Sequence, residues 1–114
     1  MKLDLRNSAE DSSQRMLNAL EPGSVVPIHR HQKTSETVVV LRGRVVEEYY
    51  DDAGVLVEFF AMGDCHVADA PMVYALNIPA GQWHTLRALE SGTVIMEMKD
   101  GAYEPIGPVD ILSM

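Results

Sequence analysis

Four residues of this chain carry donor atoms at a spacing that suits a metal ion: His29, His31, Glu36 and, well downstream, His84. The first three lie between Gly23 and Gly43. Residues two apart on a strand face the same way, so an extended His29-Arg30-His31 sets its imidazoles side by side, with Cα atoms about 6.6 Å apart. Two imidazoles so placed can each bring a nitrogen to roughly 2.0–2.1 Å from one divalent ion. Glu36 follows the polar loop Gln32-Lys33-Thr34-Ser35 and opens a valine-rich segment. A chain that folds back at that loop returns the carboxylate to the same ion. Neutral imidazoles with one carboxylate suit a catalytic first-row metal better than a closed structural zinc site. Pro79-Ala80-Gly81-Gln82-Trp83-His84 reads as a turn that delivers a fourth candidate donor into the apolar run behind it.

The elements that must hold these donors read as strands. Asp11-Ser12-Ser13 can cap a helix, and Met16, Leu17 and Leu20 fit helical spacing. Pro22-Gly23 ends that run too soon, so Gln14 to Leu20 is read as a strand. Val25 to His31 follows as a strand made irregular by Pro27. Thr37 to Leu41, Arg44 to Tyr50, Val55 to Met62, Met72 to Ile78, His84 to Leu89 and Thr93 to Lys99 complete the set. Asp51-Asp52-Ala53-Gly54 reads as a hairpin loop, Gly63-Asp64 as a turn, and Cys65 to Pro71 is ambiguous. Many short strands between regular turn signals indicate an all-β sandwich or barrel. The expected organisation is one domain: residues 1–13 irregular, 14–100 a β-barrel, and 101–114 an extended arm carrying Pro105 and Pro108.

At 114 residues the chain is long enough for one core. Cys65 is the sole cysteine, which excludes an internal disulfide and fits a reducing compartment. The N-terminal stretch shows no apolar signal core, and no run approaches the roughly 20 apolar residues needed to span a bilayer. A cytoplasmic protein is expected. The net charge of −8 argues against nucleic-acid or membrane-surface partners.

Strand phase predicts the pocket. If Glu36 faces inward, so do Val38 and Val40; if His84 does, so do Leu86 and Ala88. Glu97 and Lys99 are expected in solvent, which turns Met96 and Met98 inward. Gln82 and Trp83 stand at the mouth, with Trp83 more a packing residue than a platform for a sugar. Tyr49 or Tyr50, Asn18 and Arg15 are candidates to orient a ligand. Arg30 points away from the donors, toward solvent or a partner chain. Glu47, Glu48, Asp51 and Asp52 read as a solvated hairpin end, His66 as a surface or loop histidine, and Cys65 as a buried filler.

Gly23, His29, His31, Glu36 and Gly43 meet every position of the first motif of the cupin superfamily, and Pro79, Gly81 and His84 fit its second. Val73 and Ala88 stand where that second motif has glycine and asparagine. The chain thus resembles the cupins. More narrowly, Arg15 to Gly23, His29-Arg30-His31, Ile78 to His84 and Gly101-Ala102-Tyr103-Glu104-Pro105 resemble the WbuC-type cupin-fold metalloproteins. Those are bacterial proteins often encoded with surface-polysaccharide genes. Ile28 replaces that family's proline, and Ala102 departs from its Gly-Pro-Tyr. The resemblance implies a double-stranded β-helix, or jelly-roll barrel, and one divalent metal (zinc, iron, manganese, nickel or cobalt) on His29, His31, Glu36 and His84. It also implies a homodimer formed through the N-terminal strand or the C-terminal arm.

Two functions follow from that pocket. One is a small metalloenzyme, an isomerase or epimerase or else an oxygenase, acting on a sugar-like or hydroxy- or keto-acid compound, which the resemblance would set in surface-polysaccharide metabolism. The other is a ligand-binding or sensor module without turnover. No residue stands out as the general base.

Overall fold

The computed structural model describes residues 1–63 and 73–112. Cys65, His66, Asp64, Met72 and the ambiguous stretch Cys65 to Pro71 lie outside them. Among these residues eight strands run in the order β1 Lys2–Asp4, β2 Ser13–Leu20, β3 Glu36–Arg42, β4 Arg44–Tyr50, β5 Leu56–Gly63, β6 Ala75–Ile78, β7 Trp83–Ala88 and β8 Thr93–Asp100. A five-stranded sheet has the order β1-β2-β8-β3-β6 and a three-stranded sheet the order β5-β4-β7, with every pairing antiparallel. The result is an all-β jelly roll.

Alternation builds the core. Val38 and Val40 of β3, Val45 and Tyr49 of β4, Leu86 of β7 and Ile95 of β8 turn inward and pack with Leu20, Met62 and Ile78. Gly43 carries the chain from one sheet into the other, at φ +84°. A side chain there would strike both the side chain and the backbone of Thr93, so the corner needs glycine.

Three expectations about elements are corrected. Residues 1–13 are not wholly irregular, because β1 pairs with β2 and places Lys2 opposite Asn18. Val25 to His31 is not a strand: only His29 forms bridges, to His84 and to Ile111. Pro27 offers no N–H, and the chain here spans the end of the barrel. The C-terminal segment is not simply extended. It makes a single 3-10 turn at Pro108–Asp110, and the Leu112 N–H donates to the Ile28 carbonyl at 2.8 Å.

The phase of β8 is also reversed. Ile95 is fully buried, so Glu97 and Lys99, two and four residues on, share its inward face. Met96 and Met98 lie on the other face and do not line the cavity. Glu97 and Lys99 instead line the cavity inside the barrel.

Candidate metal centre

The donors meet at the open end of the barrel. Glu36 starts β3 and His84 is the second residue of β7. The other two histidines sit on the irregular segment, which is tied down by backbone bonds. His29 N–H donates to the His84 carbonyl at 3.0 Å, and His84 N–H to the His29 carbonyl at 2.8 Å. The turn of the second motif docks onto the first: Gly81 N–H donates to the His31 carbonyl at 2.8 Å, with Gly81 at φ +85°.

One donor atom from each of His29, His31, Glu36 and His84 lies within 4.8 Å of the other three. Glu36 Oε2 is 3.4 Å from His31 Nε2 and 3.3 Å from His84 Nε2. Neither contact is directed as a hydrogen bond, and both His31 Nε2 and Glu36 Oε2 are buried without a hydrogen-bond partner among the described residues. Such orphaned atoms are rare in native proteins and call for an ion or water.

Two of the rings are oriented from behind. His29 Nδ1 lies 2.8 Å from the Pro27 carbonyl and His84 Nδ1 2.8 Å from the Gln82 carbonyl. A carbonyl only accepts, so each Nδ1 is the N–H and each Nε2 carries the lone pair. Burial, then His84 beside it, pushes the His29 imidazole down to about 4, so it is neutral at physiological pH. Burial by itself would raise the Glu36 carboxyl, but the facing His31 and His84 rings, with Lys99 beyond, hold it well below the carboxylate range. Neutral imidazoles and an ionised carboxylate are the forms a divalent ion needs. The cluster fits a metal.

The cluster opens into a cavity of about 1200 Å³ lined by residues of β1, β2, β3, β7, β8, the irregular segment and the C-terminal segment. Of the predicted pocket residues, Asn18 and Arg15 line it, whereas Gln82, Trp83, Tyr49, Tyr50, Met96 and Met98 do not. Tyr49 is buried in the core, its ring 5.2 Å from that of Phe60. Burial, with Glu47 nearby, pushes its phenol up to about 12. Trp83 faces away from His84: its Nε1 donates to Asp52 and the Arg30 guanidinium stacks 4.4 Å over its ring. Gln82 spends its amide on the Tyr50 and Trp83 carbonyls, so its part in the site is the backbone carbonyl that orients His84. Arg30 is not among the donors, and its side chain is half-buried, 27% exposed. It pairs with Asp110 at 2.9 Å.

Three inward residues escaped the sequence reading. Glu97 and Lys99 line the cavity. Glu47 is fully buried, not solvated, and neither carboxylate oxygen has a partner among the described residues. Burial, then Glu36 and Glu97, pushes it up to about 9, so it is protonated at neutral pH. Burial and Glu36 raise Glu97 as well. The signal for Glu47 was its place between inward Val45 and Tyr49 at period two.

The barrel has the jelly-roll fold of the cupins, and its histidine and glutamate cluster could hold a metal ion. A family model described as a domain of unknown function (DUF6016) matches residues 1–62, and the chain belongs to that family. Curated proteins gave no match. Among solved structures, the chain is similar to protein SO0799 from Shewanella oneidensis (TM-score 0.71, 14% identity, 90% of this chain and 68% of that one). It is similar to oxalate decarboxylase OxdC from Bacillus subtilis (TM-score 0.63, 19% identity, 82% of this chain and 22% of that one). A third is CapF with the inhibitor 3-isopropenyl-tropolone (TM-score 0.65, 18% identity, 91% of this chain and 29% of that one). The chain thus spans less than a quarter of OxdC, and at these identities the likeness is one of fold.

Proposed function

We propose that this is a metal-binding cupin that takes a small molecule onto its ion and acts as a metal-dependent enzyme on a sugar-like or hydroxy- or keto-acid compound. The observation that carries the reading is the pair of buried, unpartnered donor atoms, His31 Nε2 and Glu36 Oε2, facing two rings whose lone pairs are aimed by backbone carbonyls. His29, His31, Glu36 and His84 would hold zinc, iron, manganese, nickel or cobalt, all compatible with this donor set. Mn(II) centres are described for the B. subtilis oxalate decarboxylase. When bound, the ion supplies Lewis-acid polarisation of a ligand oxygen, or redox chemistry if it is iron. Glu97 and Lys99 on the cavity wall give the site acid–base groups, which favours turnover over a sensor module.

The resemblance to WbuC-type proteins supports a setting in surface-polysaccharide metabolism, and the lone Cys65 supports the cytoplasm. No helix among the described residues is long and apolar enough to cross a membrane. β1 forms an open edge of the larger sheet, which supports a homodimer paired there. One domain, with β1 and the C-terminal segment as clasps on the barrel, is the organisation proposed.

Elemental analysis tests the central point. Purified protein should hold close to one first-row metal per chain, and His31→Ala should lose it. A wild-type chain that stays metal-free after reconstitution with each candidate ion would sink the reading. Product analysis on compounds that raise its melting temperature then separates turnover from binding alone.

A further inference from the structure

We propose that Lys99, with Gln14 beside it, forms the anion-recognising wall of the metal pocket and selects a small hydroxy acid by its carboxylate. The proposal rests on the metal reading above and adds the ligand class.

The chain has nine lysines and arginines against a net charge of −8. Six of them line this one cavity: Lys2, Arg6, Arg15, Arg30, Lys33 and Lys99. Six carboxylates line it too, those of Asp4, Glu36, Glu97, Asp100, Glu104 and Asp110, so what matters is which cations remain unpaired. Four are already paired within it or at its rim. Arg6 meets Asp4 at 2.6 Å, Arg15 meets Asp11 at 3.2 Å, Arg30 meets Asp110 at 2.9 Å and Lys33 meets Glu104 at 3.6 Å. Lys2 and Lys99 have no ion pair among the described residues. Lys2 is exposed on the edge strand. Lys99 is half-buried beside the cluster.

Its position is fixed by register. Gln14 of β2, Lys99 of β8 and Glu36 of β3 stand opposite one another in one row across the sheet. Adjacent strands lie about 4.7–4.9 Å apart, so the ammonium on its flexible stem reaches the space in front of Glu36 and its neighbouring histidines. Gln14 is held in place because its Nε2 donates to the Gly101 carbonyl at 2.6 Å. The next row inward is Met16, Glu97 and Val38. Its half-buried carboxyl suits a ligand hydroxyl. A cation at the rim and a carboxyl one row deeper fit a molecule with both a carboxylate and a hydroxyl better than a neutral sugar.

The competing account is that Lys99 only offsets the charge of Glu36. The two differ in anion selectivity. Cobalt-loaded protein is titrated with glycolate and with its neutral counterpart glycolamide, followed by the visible absorption of the ion and by calorimetry. Lys99→Met should weaken glycolate by about ten- to a hundredfold and leave glycolamide within roughly threefold; Lys99→Arg should keep most of the glycolate affinity. An equal loss for both ligands, no loss for glycolate, or no glycolate binding by the wild type at millimolar concentration overturns the proposal. Lys99→Gln is the second variant, with its melting temperature recorded, should the methionine form not fold. If wild-type protein takes up no cobalt, the titrations are run by calorimetry with another candidate ion that it does take up; if it takes up none of them, the metal reading falls and this one with it. If cobalt uptake is intact in every variant but selectivity does not move, only the assignment of Lys99 falls.

Discussion

His29 and His84 exchange both of their backbone hydrogen bonds, at 3.0 and 2.8 Å, and their rings lie 4.3 Å apart between centroids. Two donors from distant parts of the chain are thus registered by peptide groups, not by the side chains that would hold the ion. Fold and ligation can be separated at this point.

His29→Ala should therefore leave the barrel standing and empty the site. The main-chain bridge survives the substitution, and the half-buried ring contributes little to the core. Metal affinity should fall by more than about a hundredfold, beyond the range seen when only an outer partner of a ligand is lost. The melting temperature of the metal-free protein should move by only a few degrees. Paired metal titration and calorimetry check this; a variant that unfolds, or one that binds metal as tightly as wild type, contradicts it.

The C-terminal segment clasps the strip of chain that bears the first two histidines. Arg30 N–H donates to the Asp110 carbonyl at 3.1 Å and Leu112 N–H to the Ile28 carbonyl at 2.8 Å. Asp110 also accepts from Arg30 Nε at 2.9 Å and Gln32 Nε2 at 2.6 Å. Each such bond is worth about 0.5–1.5 kcal/mol net. Removing residues 107–114 should loosen His29 and His31, lower metal affinity by about tenfold or more, and speed amide exchange at residues 28–31. Unchanged exchange there would show that the clasp does not hold the site.

Glu47 sets a pH dependence of stability. Its carboxyl is pushed up to about 9 in the folded protein from an ordinary value of 4.5. Between those values the unfolded chain has released this proton and the folded chain keeps it, so stability falls as pH rises through that window. Glu47→Gln removes the titration. In metal-free protein the variant should melt above wild type, with the gap widening from about pH 5 to pH 8 and levelling off above about 9. Parallel melting curves across that range would show that Glu47 is solvated in the folded state.

Gly43 should tolerate no side chain. Its left-handed backbone and the approach of Thr93 act together. Gly43→Ala should cost at least about 2 kcal/mol from backbone strain alone, with more from the clash. Gly23→Ala has the same strained backbone but open space around it, so it should cost less. Denaturant unfolding of the two variants compares them directly, and equal losses would mean that the contact with Thr93 is not the cause.

How much of this was readable in advance differs from residue to residue. His29, His31, Glu36 and His84 stood out because donor chemistry is a property of the side chain and the framing glycines and Pro79 mark local turns. The inward phase of β3 was legible for the same reason, since Glu36, Val38 and Val40 alternate within one strand. Lys99 and Glu97 were not legible. Their polarity suggests solvent, and only the position of Ile95 in the closed barrel shows that the inner face of β8 leads from core into cavity.

The amino-acid sequence alone determined the chemistry available to this protein and the strand-and-turn grammar that carries it, because both depend on neighbours along the chain. Tertiary structure decided the rest: that His29 pairs with His84, that Asp110 grips Arg30, that Glu47 loses its water and that Lys99 stands beside Glu36. Each of these is a contact between segments far apart in the chain. It is fixed by how two sheets close on one another, and closure is a property of the whole chain that no local window contains.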